Sequence, residues 1–83
     1  MKKKYVKIDG IHCEHCIDTI TNELLKNEKI EKVSIKNNIA HISYDGNLSN
    51  REIIKAVKKV EYFTKEEYIS DNLKKIDNRI HNP

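Results

Sequence analysis

A chain of 83 residues can bury only about 60% of the surface its unfolded form exposes, which supports one modest core and excludes a large catalytic cleft. Lys and Arg number 16 against 13 Asp and Glu, a net charge of +3 with both signs interspersed and the longest basic run at Lys2-Lys3-Lys4. That weak bias suits a solvated surface kept soluble by mixed charge, ahead of the docking of an acidic partner, and does not suit nucleic acid, which calls for a concentrated basic stripe.

The beginning of the chain has the charge of a signal peptide but lacks the apolar run of roughly 7 to 15 residues that export requires, and no segment is apolar enough to cross a bilayer. The expected location is therefore the reducing cytoplasm. There a Cys pair serves as a metal or redox site rather than as a structural disulfide.

From residue 4 to residue 9 the apolar Val6 and Ile8 alternate with Tyr5 and Lys7, the period of a half-buried strand, which Gly10 breaks. Ile17, Ile20 and Leu24 then recur at helical spacing from about Cys16 to Asn27. Ile30, Val33 and Ile35 open a second extended stretch, Asn37-Asn38 supplies a tight turn, and Ala40, Ile42 and Tyr44 alternate on the return, closed by Asp45-Gly46. Ser49 and Glu52 have the spacing of a capping box ahead of a helix whose inward stripe is Ile53, Ile54, Val57 and Val60.

The order strand, helix, strand, strand, helix predicts an α+β fold, a ferredoxin-like βαββα(β) sandwich. Its fourth strand is expected to be short or absent: Tyr62 to Thr64 offers a short edge strand, whereas Thr64 and Glu67 have the spacing of a second capping box. Ile69, Leu73, Ile76 and Ile80 follow as the stripe of an amphipathic helix over residues 66–80. Three roles are open to that helix: replacing the fourth strand, covering a sheet face, or pairing with another chain. The expected division is 1–64 as the main domain and 65–83 as a helical extension packed on it.

The chemistry is concentrated in Gly10-Ile11-His12-Cys13-Glu14-His15-Cys16. Two thiols three residues apart at a helix start can converge on one point, and the positive end of the helix dipole favours their thiolate forms. Two soft sulfurs on a partly exposed loop suit Cu(I), which accepts few ligands, while Zn(II) normally takes four donors in a tetrahedron.

Placed after the first strand of this element order, the motif resembles the heavy-metal-associated domain family and, within it, small bacterial copper chaperones, whose usual form is Gly-Met-Thr/Ser-Cys-x-His-Cys. The resemblance runs over roughly residues 4 to 64 and includes Val33 to Ile35, Ala40 to Tyr44 and the helix with Ala56 and Val57. It implies that Cys13 and Cys16 are the metal ligands and that the ion passes to a partner by exchange between thiol pairs. The partner it implies is a copper-exporting P-type ATPase or a copper-responsive regulator.

Several residues depart from the family pattern. Ile11 takes the usual Met position, an apolar packing site, at little expected cost. His12 replaces Thr or Ser and is either an exposed imidazole or a third ligand. Glu14 opposes thiolate formation by its charge, or donates oxygen to Zn(II) or Cd(II). His15 matches the family's frequent His, as a surface residue or an auxiliary ligand. Tyr62 falls where the family often has a Gly-Tyr pair whose ring approaches the metal loop, with Glu61 in the Gly position; the ring either shields the sulfurs or is an ordinary core aromatic at a helix end. His41 and His81 need no functional role.

The alternatives to a Cu(I) carrier are a Zn(II) or Cd(II) domain of the same fold and a thiol-disulfide redox protein. Against the second, the chain has no Trp beside its Cys pair, and its only proline is Pro83. RNA binding on the sheet is disfavoured because Tyr5 and Tyr44 are expected on opposite faces. No base and nucleophile pair and no phosphate-binding glycine loop suggests an enzyme. A metal-linked or helix-mediated dimer is compatible with the pattern.

Overall fold

A computed structural model of the protein describes residues 2–11 and 14–80, with side chains as far as residue 76. The elements are β1 (Lys2–Lys7), α1 (Glu14–Leu25), β2 (Ile30–Lys36), β3 (Ile39–Tyr44), α2 (Asn50–Lys59), β4 (Ile69–Ser70) and α3 (Leu73–Ile80), with a 3₁₀ turn at Glu66–Tyr68 before β4. The strands form one four-stranded sheet in the order β2-β3-β1-β4, antiparallel throughout. This is the ferredoxin-like α+β sandwich that the element order predicts.

Alternation decides which side of each strand is buried. Val6 and Ile8 are fully buried, and Ala40, Ile42 and Tyr44 join them in a core closed by Ile20 and Leu24 of α1 and Ile53 and Val57 of α2. The β2–β3 hairpin turns on Asn37 and Asn38, whose φ values of 52° and 65° give the doubly left-handed turn that matches strand twist. Ile30 and Val33 break strict alternation, and the ladder shows why: it slips by one residue between Ile30 and Lys32, so Ile30 lies opposite Tyr44 while Val33 lies opposite Ile42. The bulge returns both isoleucine and valine to the core side.

The Ser49–Glu52 capping box is present: the Ser49 N–H donates to Glu52 Oε2 at 2.9 Å and the Glu52 N–H donates to Ser49 Oγ at 3.3 Å. Glu52 also accepts from Lys29 and Asn27, tying α2 to the turn between α1 and β2. The Ser49 backbone bond, then Lys29, hold the Glu52 carboxyl down at about 2. A carboxyl depressed on folding stabilises the native state above its unfolded value of about 4.3 and loses that contribution as the pH falls towards the folded value. Thermal unfolding followed from pH 5 to pH 2 should therefore show a decline that is shallower in Glu52→Gln than in wild type.

The C-terminal region departs from expectation. Helix does not run over residues 66–80, and Thr64 caps nothing: it is 1% exposed and its Oγ1 donates to the Lys7 carbonyl at 2.8 Å. Lys65, which precedes the 3₁₀ turn, is extended and makes no side-chain cap. Ile69 belongs to a strand, pairing with Val6 and buried in the main core, so the fourth strand exists, short, at residues 69 and 70. The helix starts only after Asn72, whose Oδ1 accepts the Lys74 N–H at 3.0 Å as a cap. Tyr62 to Thr64 contributes a single bridge, between Phe63 and Asp9.

Of the three roles open to the last helix, the structure shows the covering of a sheet face. Ile76 is 1% exposed yet is not part of the α1–α2 core, and α3 contacts β1 and β4. Ile39, 3% exposed and also outside that core, alternates onto the same outer face. α3 thus buries apolar surface on the side of the sheet that α1 and α2 leave open.

Candidate metal site

The candidate site lies where β1 runs out through Ile8, Asp9 and Gly10 and the chain turns into α1. Cys16 is half-buried in the first turn of that helix, among N–H groups that have no intrahelical acceptor and next to the positive end of the dipole. Its expected partner Cys13, and the auxiliary candidate His12, lie outside the described residues.

Glu14 and His15 are both exposed. Glu14 puts a negative charge in the first turn of α1, where it complements the dipole. The His15 carbonyl accepts the Thr19 hydroxyl at 3.0 Å, within the helix. Among the described residues no three or more His, Cys, Asp or Glu side chains come together as a metal cluster.

The strand that delivers the loop is clamped from two sides. Ile8 donates its N–H to the Asn38 carbonyl at 2.8 Å, while Asp9 and Phe63 exchange backbone hydrogen bonds at 2.8 and 3.3 Å. The buried Thr64 hydroxyl adds its bond to Lys7. Asn38, Phe63 and Thr64 are positioning residues that sequence spacing did not reveal; a Thr three residues ahead of a Glu reads as a helix cap until its burial is known.

Tyr62 reaches the loop. Gly10 has φ of +99°, and a Cβ built there would sit 3.2 Å from Tyr62 Cδ1, so the ring lies against the first turn of the motif. Gly10 is thereby required twice, by backbone conformation and by contact. The Tyr62 ring is half-buried and packs on the core, which fixes its position.

How Tyr62 is delivered explains the family's preceding glycine. The end of α2 forms a Schellman motif: the Glu61 N–H donates to the Lys58 carbonyl at 3.0 Å, and the Tyr62 N–H donates to the Val57 carbonyl at 3.1 Å. This places Glu61 in the left-handed region, with φ of +68°. A non-glycine residue there is strained by roughly 1 kcal/mol. Glu61→Gly is accordingly expected to raise stability by about 0.5 to 1 kcal/mol, the relief of strain being offset in part by the greater entropy of the unfolded chain. Urea denaturation of the two apo proteins measures it.

The comparisons with known proteins agree with this geometry. The heavy-metal-associated domain family matches residues 5–63, well over half of the chain. The N-terminal domain of a potential copper-translocating P-type ATPase from Bacillus subtilis, solved in a Cu(I)-loaded state, superposes with a TM-score of 0.72 at 24% identity, covering 87% of this chain and 95% of its own. The CopZ metallochaperone gives a TM-score of 0.72 at 15% identity, with 77% and 100% covered. The yeast copper transporter domain Ccc2a gives 0.72 at 18%, with 78% and 93% covered. No curated protein sequence matches the chain. With the matched segment running from the first strand to the Tyr62 clamp, in the fold that those structures share, the chain belongs to the heavy-metal-associated domain family.

Proposed function

We propose that the protein is a carrier, not a catalyst: it binds one Cu(I) ion as cargo through the thiolates of Cys13 and Cys16 and passes it on by ligand exchange with another thiol pair. The observation that carries this reading is the placement of Cys16 in the first turn of α1, with the Tyr62 ring packed against Gly10 at the end of β1's extension, within a heavy-metal-associated domain. Cu(I) is the soft ion that two sulfurs satisfy, and a site on an exposed helix start leaves room for an incoming thiolate. His12, Glu14 and His15 are not ligands in this reading, and Tyr62 shields one side of the loop.

The proposed partner is the metal-binding domain of a P-type ATPase or a copper-responsive regulator, met in the cytoplasm. The structure has no helix long and apolar enough to cross a membrane among its described residues. Residues 1–64 carry the metal chemistry, and the segment after them completes the same domain with β4 and α3. An anaerobic titration of the reduced protein against a Cu(I) chelator, and separately with Zn(II), tests the reading. One Cu(I) per chain, bound in preference to Zn(II) and indifferent to His12→Ala, is expected. Preference for Zn(II) that depends on His12 would instead assign zinc or cadmium handling.

A further inference from the structure

The outer face of the sheet carries a second feature, remote from the cysteines. Strand register aligns Lys32, Ser43 and Lys3 in one row across β2, β3 and β1, and Ser34, His41 and Tyr5 in the next. These six residues line a cavity of about 170 Å³ on the part of the face that α3 leaves open. Tyr5 and His41 meet there, their rings edge to face with centroids 5.1 Å apart.

The electrostatics of this cavity run one way. Among the described residues no carboxylate lines it, and neither Lys3 nor Lys32 forms an ion pair. The strands that carry Lys3 and Lys32 are two spacings apart, about 10 Å. Their flexible side chains can converge on a single anion seated over Ser43. The hydroxyls of Ser34 and Ser43 and the His41 ring supply further hydrogen-bonding groups beside it, and the Tyr5 ring supplies a flat apolar surface.

We propose that this cavity binds a phosphate group, either as inorganic phosphate or as a small phosphomonoester whose body lies on Tyr5. The row of Lys3, Ser43 and Lys32 holds the oxygens. From Lys3 to Gly10 the chain runs on the order of 20 Å, so the anion is held at the opposite end of the sheet from the cysteines and does not compete with them for metal.

The test is an NMR titration of the reduced, ¹⁵N-labelled full chain with inorganic phosphate and, separately, with phenyl phosphate, at ionic strength matched with chloride. Saturable shifts centred on the amides of Lys3, Ser34, His41 and Ser43 are expected, with Lys55 and Lys58 on α2 silent. Lys3→Gln and Lys32→Gln should each weaken binding about fivefold or more, as loss of a charge-assisted hydrogen bond does. Ser43→Ala should weaken it less, and Lys55→Gln should not change it. Saturation by both probes identifies the free anion as sufficient, while saturation by phenyl phosphate alone identifies an organic monoester. Shifts spread equally over all lysine-bearing surfaces, absence of saturation with either probe, or unchanged affinity in folded Lys3→Gln and Lys32→Gln would overturn the proposal.

Discussion

Cys16→Ser is expected to lower Cu(I) affinity by more than about 100-fold, because partners one shell removed from a metal already account for roughly 10- to 100-fold. A hydroxyl is a hard and scarcely ionised donor, so serine does not replace a thiolate for a soft ion. Cys13→Ser should match it if the two sulfurs share one ion. The apo fold is expected to persist, since Cys16 is only half-buried, in the first turn of α1. Chelator competition together with thermal unfolding separates the effects. Metal at about a thousandfold over its dissociation constant should stabilise the wild type by about 4 kcal/mol, and the variant by far less at the same concentration. Equal metal-induced stabilisation of both proteins would remove Cys16 from the site.

Ile20→Ala should produce the second large effect. Ile20 is fully buried and stands one helical turn beyond Cys16, where it anchors α1 on the sheet. Truncation of a buried isoleucine costs about 2 to 5 kcal/mol, a large fraction of the roughly 4 to 12 kcal/mol expected of a domain this size. The helix that presents Cys16 is thereby loosened without any change in the ligands themselves. In urea the apo variant should unfold at a much lower midpoint, and saturating Cu(I) should recover part of the loss by binding the folded form. A midpoint close to wild type would show that α1 is held by other contacts.

Most of the fold was legible because its signals are local. Alternating Val6 and Ile8, the Asn37-Asn38 turn and the Ser49–Glu52 box each act over a few residues, and each is present where the spacing puts it. The C-terminal region was misread because its signals are long-range. Thr64 has the spacing of a cap, but its hydroxyl is taken by Lys7, 57 residues away, and Ile69 fits a helical stripe but is claimed by a strand pairing with Val6. The local cue that did operate, Asn72 as a cap, was hidden inside the apparent helix. Propensity ranks local options, and tertiary contacts choose among them.

The site was legible in part. The Cys pair was expected at the start of α1, and Cys16 stands in the first turn of that helix; Tyr62, which the resemblance places near the motif, packs on the core with its ring against Gly10. Glu61 looked like a departure from the family pattern; its positive φ shows that the backbone kept the glycine geometry and accepted the strain. The backbone clamp from Phe63 and Thr64 carries no sequence signature, because it consists of hydrogen bonds to main-chain groups of Lys7 and Asp9.

The most direct test of the two-thiolate site is X-ray absorption at the copper edge on the anaerobically loaded protein, wild type beside His12→Ala. A first coordination shell of sulfur alone, the same in both proteins, is the predicted result. Nitrogen or oxygen scatterers in the wild type that disappear with His12→Ala would contradict it and make the imidazole a ligand.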